Sequence, residues 1–368
     1  MNALDELANL LRPAGGGIFL VSTGKAAQEA VQQKLYGVSS AGEVYAAFKK
    51  NLEAIATAKG VVLGIPSDTG AGYRRGASFG PQAIRAKLLE APDWKQQCAA
   101  WGLVDLGDVF VVPQLQHDEM LSSAQLNASR AALYPALDPG EAAKLPVSPL
   151  SIAERAWDLI FSLNPKVKPF ALGGDHSTAL PGVLALRRAR TDVLGIVQPD
   201  AHTDLMETRL GVKYCFATWS WYANLAYGQQ GRMVQLGIRA TGKDQAHWET
   251  ATGVRQFWAH QVLADPKGAL EKVIAHVKAS GVKGVYFSND IDGTDARFGD
   301  ATGTPEPGGL EPEWLVEVIR RLGKEVGIVG GDVMEVAPPL GSAAESEKTV
   351  ALAARYFRET VQAALGSA

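Results

Sequence analysis

Three short segments of this chain combine side chains that can bind metal ions. Within the sequences GGDHS, DAHTD and SNDID they supply His176, Asp200, His202, Asp204, Asp290 and Asp292. Each segment follows an apolar run, and residues two apart in an extended segment point to the same side, so the members of a segment can converge. The four carboxylates would repel one another unless cations lay between them. Two divalent ions would balance the four negative charges, and we therefore predict a pair of metal ions.

The ligand types narrow the choice of metal. Carboxylate oxygens together with imidazoles suit Mn²⁺ best, with Ni²⁺, Co²⁺, Fe²⁺ or Zn²⁺ as alternatives. A single Asp-x-His or Asp-x-Asp sequence is more often a turn or a helix cap, and we interpret Asp175 and Asp295 in that way. Three such segments, each behind an apolar run, favour one metal site over three unrelated turns.

The apolar runs themselves are typical of buried strands. Strands are predicted at Gly60–Pro66, Val109–Val112, Pro169–Leu172, Val193–Val197, Met233–Leu236, Val285–Phe287 and Gly327–Val329. Helices are predicted at Ser151–Leu163, Leu180–Ala189, Lys267–Ala279, Glu311–Leu322 and Glu345–Leu365. Apolar strands that alternate with helices indicate a parallel sheet covered on both faces, and ligands of such sheets collect at the carboxyl ends of the strands. We predict an α/β fold, a single three-layer α/β/α domain with a mostly parallel, doubly wound sheet.

The organisation along the chain is predicted to be simple. Residues 1–59 have helical periodicity and little chemistry, which indicates an N-terminal helical extension, and residues 60–368 would form the catalytic domain. The segment His117–Pro149 lacks a clean period and contains several prolines, so we interpret it as an insertion or surface excursion.

Composition excludes several classes of function. The net charge of −3 provides no basic surface for nucleic acid. No apolar stretch reaches the roughly 18 residues that a membrane span needs, and the N-terminus carries Asp5 and Glu6 before any basic residue, unlike a secretory signal. Two cysteines cannot form a disulfide framework in a chain of 368 residues. We predict a cytoplasmic protein with no nucleic-acid or membrane partner.

The same segments resemble the motifs of the ureohydrolase family, which includes arginases, agmatinases, guanidinobutyrases and formimidoylglutamases. The family motifs GGDHS, DAHxD and SxDxDxxDP correspond to Gly173–Ser177, Asp200–Asp204 and Ser288–Asp295, with Ala296 in place of the final proline. Gly64–Arg85, Gly303–Leu310 and Asp332–Pro338 are also similar to family segments. The resemblance covers roughly residues 60 to 365, and the motifs together are highly specific.

The resemblance implies roles for individual residues. His176 and Asp204 would hold one ion, His202 and Asp292 the other, and Asp200 and Asp290 would bridge both. A hydroxide shared by the ions would attack the carbon of a guanidinium or amidine group, and Asp204 would help to move a proton to the departing nitrogen. Glu335 resembles the family residue that pairs with the guanidinium. The products would be urea and an amine or ammonia, and the resemblance implies a trimer or hexamer.

One segment departs from the family pattern. Arginases and agmatinases have a His-Gly pair after the second motif, whereas this chain reads KYCFATWSWY over residues 213–222. Cys215 occupies or neighbours the position of the proton-shuttle histidine, and it is either a replacement shuttle or an inert packed cysteine. Trp219 and Trp221 either pack in the core or form an aromatic wall against a small cationic substrate.

This departure leaves the substrate open. An active hydrolase of a small guanidino compound is the favoured hypothesis, because all six ligand positions and Glu335 are intact. Formimidoylglutamases also lack the shuttle histidine, so a formimino substrate, with release of formamide, is an alternative. A catalytically weak binding or regulatory relative, and a hydrolase of unrelated chemistry, are the remaining hypotheses.

Overall fold

The apolar runs form one nine-stranded sheet in the computed structural model, which describes residues 1–20 and 22–366. The last two residues of the predicted 60–368 domain lie outside the described residues. The strands are Leu11–Arg12 (β1), Gly60–Ile65 (β2), Leu103–Val109 (β3), Lys168–Gly173 (β4), Gly195–Pro199 (β5), Met233–Leu236 (β6), Arg255–Phe257 (β7), Val285–Asp290 (β8) and Ile328–Met334 (β9). Their order is β1-β3-β2-β4-β9-β8-β5-β6-β7, and only the β1–β3 pairing among them is antiparallel.

Helices connect the strands. The α-helices are Ala3–Leu10 (α1), Lys25–Tyr36 (α2), Ala41–Glu53 (α3), Gly80–Leu88 (α4), Trp94–Trp101 (α5), Ser123–Leu133 (α6), Pro139–Ala142 (α7), Pro149–Leu163 (α8), Leu180–Ala189 (α9), Trp219–Ala226 (α10), Gln245–Thr252 (α11), Ala259–Ala264 (α12), Pro266–Ala279 (α13), Pro312–Glu325 (α14) and Ala343–Leu365 (α15). Short 3₁₀ turns lie at Ala54–Ala56, Ala77–Phe79, Asp118–Met120, His176–Ala179, Ile291–Gly293 and Pro338–Leu340.

Two hydrophobic cores lie on opposite faces of the sheet. Helices α1, α3, α8, α9 and α10 contribute to one core, around Trp157 and Trp219. Helices α4, α13, α14 and α15 contribute to the other, around Phe287 and Phe357. Helices bury an apolar stripe at the spacing of the α-helix, as Leu315, Ile319 and Leu322 do in α14. The predicted three-layer α/β/α fold with a mostly parallel sheet is confirmed.

The N-terminal region packs onto this framework. β1 pairs with β3, Leu7 and Leu10 of α1 belong to the same core as Trp157, and Glu6 accepts hydrogen bonds from Arg155 of α8. The boundary between residues 59 and 60 stays a prediction. No helix in the described part of the chain is long and apolar enough to cross a membrane.

One predicted strand is misplaced. The strand predicted at Val109–Val112 instead occupies Leu103–Val109. The apolar pattern did not indicate this segment because it contains Asp105 and Asp108. Both aspartates pair with the buried Arg85, so they are accommodated in the strand. The segment His117–Pro149 contains α6 and α7, and its interpretation as an insertion or surface excursion stays a prediction.

Candidate metal centre

The predicted ligands come from the carboxyl ends of neighbouring strands at the centre of the sheet. β4, β9, β8 and β5 are adjacent in that order. His176 follows β4, Glu335 follows β9, Asp290 ends β8 and Asp200 follows β5. Parallel strands end on the same edge, so their following residues meet there.

The first group of ligands surrounds the imidazole of His176. Its Nδ1 lies 3.0 Å from Asp290 Oδ2, 3.4 Å from Asp200 Oδ2 and 3.7 Å from Asp204 Oδ2. All of these side chains are buried, and His176 is 0% exposed. Candidate ligand atoms of His176, Asp200 and Asp290 lie within 4.8 Å of one another, which suits a shared metal ion.

The second group surrounds His202. Its Nδ1 lies 3.1 Å from Asp292 Oδ2 and 3.6 Å from Asp200 Oδ1. Candidate ligand atoms of Asp200, His202 and Asp292 again lie within 4.8 Å of one another. Asp200 therefore belongs to both groups, with one carboxylate oxygen directed to each. The side chain of His202 is 24% exposed, so the centre opens to solvent on that side.

Tight turns, rather than extended segments, bring these side chains together. Asp200 Oδ1 accepts the backbone N–H of His202 at 2.6 Å, and Asp290 Oδ1 accepts that of Asp292 at 2.9 Å. Each aspartate thus forms a local turn with the residue two positions on. Asp204 has a φ of 53°, a left-handed backbone that also redirects the chain. The predicted convergence holds, but the extended geometry proposed for it is wrong.

The electrostatics of the cluster favour cations. Burial and then repulsion by Asp200 raise the pKa of Asp204 well above its usual range, and burial together with Asp292 and Asp200 does the same for Asp290. Burial lowers the pKa of His202, but Asp292 and Asp200 overcome this and raise it to about 12. Without metal ions, the cluster is therefore neutralised by bound protons, which divalent ions would replace. The set of carboxylate and imidazole donors fits a pair of such ions.

We expect metal binding at this centre to release protons and to tighten as the pH rises. His202, with a pKa of about 12, holds a proton at pH 7 that it must lose to bind an ion. The proton therefore competes with the metal more strongly at low pH. Calorimetric titration of the metal-free protein with Mn²⁺, in two buffers of different ionisation enthalpy, counts the protons released. A binding heat that did not depend on the buffer would contradict this expectation.

Polar side chains behind the ligands fix their orientation. His176 Nε2 lies 3.0 Å from Ser288 Oγ, which donates to Asp332 Oδ1 at 2.9 Å. Thr304 Oγ1 donates to Asp292 Oδ2 at 3.0 Å. Such partners hold the ring and carboxylate of a metal ligand in place. Ser288 and Asp332 lie in segments that the sequence had singled out, but their supporting role was not predicted.

Trp219 contacts two of the predicted ligands. Its Nε1 donates to Asp204 Oδ2 at 3.0 Å, and its ring stacks on that of His176 with the centroids 4.3 Å apart. Trp219 is 0% exposed, whereas Trp221 lies half-buried on α10. This geometry favours a role for Trp219 in holding Asp204 and His176 rather than in forming a wall open to substrate. Substrate binding by Trp219 and Trp221 stays a prediction.

Glu335 lies beside the centre on a left-handed backbone, with a φ of 62°. Its Oε1 accepts the backbone N–H of His176 at 2.9 Å, which ties it to the start of the turn after β4. Its Oε2 lies 3.7 Å from the point that a side chain on Gly303 would occupy, so the glycine leaves space next to the carboxylate. Burial, and then the charge of Asp175, raise the pKa of Glu335 well above its usual range.

Comparison with known proteins identifies the family and agrees with the fold. The sequence model of the arginase family matches residues 58–362. The chain is 30% identical over 286 residues to guanidinobutyrase from Pseudomonas aeruginosa, covering 75% of this chain and 78% of that one. It is 32% identical over 281 residues to mitochondrial agmatinase from Gallus gallus, covering 75% and 73%. The chain belongs to the arginase family. The crystal structure of agmatine ureohydrolase of Thermoplasma volcanium matches with a TM-score of 0.61 and 26% identity, covering 84% of this chain and 90% of that one.

Membership of the arginase family confirms the resemblance and the class of reaction. Enzymes of this family are ureohydrolases, which have a binuclear metal site, and this chain is a hydrolase of C–N bonds in linear amidines. The two groups that share Asp200 are the candidate residues for that site.

Cys215 lies in the segment at residues 213–222 that departs from the arginase-family pattern. The residue is buried, its backbone N–H donates to Thr218 Oγ1 at 3.1 Å, and its Sγ lies 3.8 Å from the same oxygen. Burial raises the pKa of the Cys215 thiol, which disfavours the thiolate at neutral pH. These contacts favour the packed cysteine over the proton shuttle, and a catalytic role for Cys215 stays a prediction.

Proposed function

We propose that this protein is a binuclear-metal amidinohydrolase that cleaves a small guanidino compound into urea and an amine or ammonia. The observation that carries the proposal is the position of Asp200 between two histidine–carboxylate groups, with Glu335 beside them. This arrangement offers a site for two ions and a carboxylate for a planar cation at one edge of the sheet. The family relationship supports guanidino compounds as the substrate class.

The protein residues would bind the ions, orient the substrate and move a proton. As the family resemblance implies, His176 and Asp204 would hold one ion, His202 and Asp292 the other, and Asp200 and Asp290 would serve both. The distances support this for Asp200, which directs one oxygen to each histidine, and they place Asp204 and Asp290 on the side of His176. Bound divalent ions supply an acidified water as the nucleophile at neutral pH. Glu335 Oε2 would pair with the guanidinium while its Oε1 keeps the bond to His176. Asp204 would pass a proton to the departing nitrogen.

The finer attributes follow from the ligand chemistry and the family. Mn²⁺ suits the mixed oxygen and imidazole ligands best, and Ni²⁺, Co²⁺, Fe²⁺ and Zn²⁺ are the alternatives. We also propose a homo-oligomer, a trimer or hexamer, that acts in the cytoplasm.

The substrate is proposed to be small, because the half-buried Trp221 would offer it an apolar wall, whereas the α-carboxylate and α-amine of arginine need polar partners. Free guanidine and short guanidino acids meet this condition. The missing histidine at the Cys215 position favours a second candidate, a formimino compound cleaved to formamide.

One assay separates these possibilities. The purified protein, loaded in turn with Mn²⁺, Ni²⁺ or Co²⁺, is incubated with guanidine, 4-guanidinobutyrate, agmatine, arginine and formiminoglutamate. We expect urea from at least one small guanidino compound. Formamide alone would select the formimino alternative. Absence of turnover with every metal and substrate, in protein that binds the ions, would favour the catalytically weak relative and overturn the proposal.

A further inference from the structure

Three buried glutamines lie side by side on the strands at one end of the sheet. Gln198 on β5 pairs in register with Gln235 on β6, which pairs with Gln256 on the edge strand β7. All three side chains are 0% exposed. Buried parallel strands are normally apolar, and a buried amide costs free energy unless it is hydrogen bonded. Three amides at the same level of adjacent strands therefore require an explanation beyond packing.

The amides are joined end to end and finish on the carboxylate that the two ligand groups share. Gln256 Nε2 donates to Gln235 Oε1 at 2.8 Å, and Gln235 Nε2 donates to Gln198 Oε1 at 2.8 Å. Gln198 Nε2 donates to Asp200 Oδ2 at 2.7 Å. At the other end, Nε1 of the half-buried Trp258 donates to Gln256 Oε1 at 2.9 Å. We refer to Gln198, Gln235 and Gln256 as the glutamine ladder.

The direction of the glutamine ladder follows from the chemistry of its two ends. An indole N–H can only donate, so Gln256 must turn its oxygen towards Trp258 and its nitrogen towards Gln235. An ionised carboxylate can only accept, so Asp200 requires the nitrogen of Gln198. Both ends impose the same orientation on the amides between them. Reversing any single amide would place oxygen against oxygen or N–H against N–H.

Two lateral hydrogen bonds support the glutamine ladder. Ser220 Oγ, at the start of α10, donates to Gln198 Oε1 at 2.8 Å. Gln235 Nε2 also donates to the backbone carbonyl of Thr203 at 2.6 Å, within the motif that carries Asp200. A satisfied network of buried hydrogen bonds is rigid. The ladder therefore connects the edge of the sheet to the metal-binding loop through fixed bonds.

We propose that the glutamine ladder is a positioning device that fixes the carboxylate of Asp200 and thereby sets the metal affinity of the centre. The proposal rests on the pair of ions proposed above. Asp200 Oδ2 lies 3.4 Å from His176 Nδ1, and its Oδ1 lies 3.6 Å from His202 Nδ1. Rotation of this carboxylate would move both oxygens away from their groups. The bond from Gln198 to Oδ2 opposes that rotation.

The test removes the central amide and measures metal binding without turnover. We expect Gln235→Met, which keeps the length of the side chain, to weaken Mn²⁺ binding by about 10-fold, the lower end of the roughly 10- to 100-fold effect of losing a direct partner of a metal ligand, because Gln235 acts on Asp200 through Gln198. Competition of the metal-free protein with a chelating dye for Mn²⁺ gives the affinity and the stoichiometry. Asn224→Leu is the matched control, because Asn224 is a buried amide that donates to the carbonyl of Thr252, outside the ladder. We expect the control to change stability but not metal affinity.

A double variant shows whether the effect travels through Gln198. Once Gln198→Met has removed the bond to Asp200, we expect Gln235→Met to weaken Mn²⁺ binding little further. Trp258→Phe, at the half-buried end, provides a milder variant should Gln235→Met fail to fold, and we expect weaker Mn²⁺ binding from it as well.

Two results would overturn the positioning role: affinity in folded ladder variants equal to that of the unmodified protein, or an undiminished effect of Gln235→Met beside Gln198→Met. If the unmodified protein itself bound no Mn²⁺, the proposed function would fail as well. The two failures are therefore distinguishable.

Discussion

Replacing Asp200 with asparagine is expected to abolish activity and to remove bound metal from both groups. Asp200 is the residue that the two groups share, with Oδ2 near His176 and Oδ1 near His202. The amide keeps the size of the side chain but loses the negative charge and one of the two ligand oxygens. If the bound ions lower the activation barrier by about 4 kcal/mol, their loss reduces activity by roughly 1000-fold. Metal analysis of the dialysed protein and urea release measure the two effects.

The control for this variant comes from the same kind of motif. Asp295→Asn changes an aspartate whose Oδ2 accepts the backbone N–H groups of Gly308 and Gly309, and asparagine can still accept those bonds. We expect the control to retain metal and activity. An Asp200→Asn variant that kept two ions per chain would show that the shared ligand is misassigned.

The convergence of the candidate ligands could be predicted from the sequence because each ligand segment directly follows its strand in the chain. Asp200 and Asp290 each lie at the end of an apolar strand, so the position of each strand in the sheet fixes the position of its aspartate. The five helices that the sequence predicts by their bounds lie within a few residues of α8, α9, α13, α14 and α15, because a periodic apolar stripe is local information. Leu180–Ala189 has the predicted bounds in the structure.

The supporting residues could not be predicted, because their partners are distant in the chain. Gln198 lies two residues before Asp200, but it hydrogen bonds to Gln235, which is 37 residues away. Gln256 lies 21 residues further on, in a three-residue edge strand that the apolar pattern does not reveal. In sequence, each is a polar residue next to apolar ones. Only the register of β5, β6 and β7 brings them to one level.

The departure at residues 213–222 acquires a physical interpretation from α10. Trp219 donates to Asp204, and Ser220 donates to Gln198, which in turn donates to Asp200. Consecutive residues of one helix thus support two ligands of the metal centre. The sequence showed only that the family histidine was absent. The structure indicates that this segment stabilises the ligands, which favours a functional centre over a decayed one.

Glu335→Gln is expected to lower kcat/KM for a guanidino substrate by roughly 100-fold, which corresponds to about 3 kcal/mol for a charge-assisted hydrogen bond to a cation. The amide can still accept the bond from the backbone N–H of His176 through its oxygen, so the fold and the bound ions should be retained. Its NH₂ group would then face the N–H groups of the substrate, where donor meets donor. Steady-state kinetics and metal analysis on the same preparation separate loss of substrate binding from loss of ions.

The pH dependence of KM gives this variant a second signature. Because burial and Asp175 raise the pKa of Glu335, its carboxyl retains a proton to higher pH than an exposed glutamate does. Pairing with a guanidinium requires that proton to leave, so KM of the unmodified enzyme should fall as the pH rises. Glutamine has no such proton, and the acidic limb of the KM profile should flatten in the variant. Glu345→Gln, at the exposed N-terminus of α15, is the control and should keep both the rate and the profile. A Glu335→Gln variant with an unchanged KM profile would remove Glu335 from substrate binding.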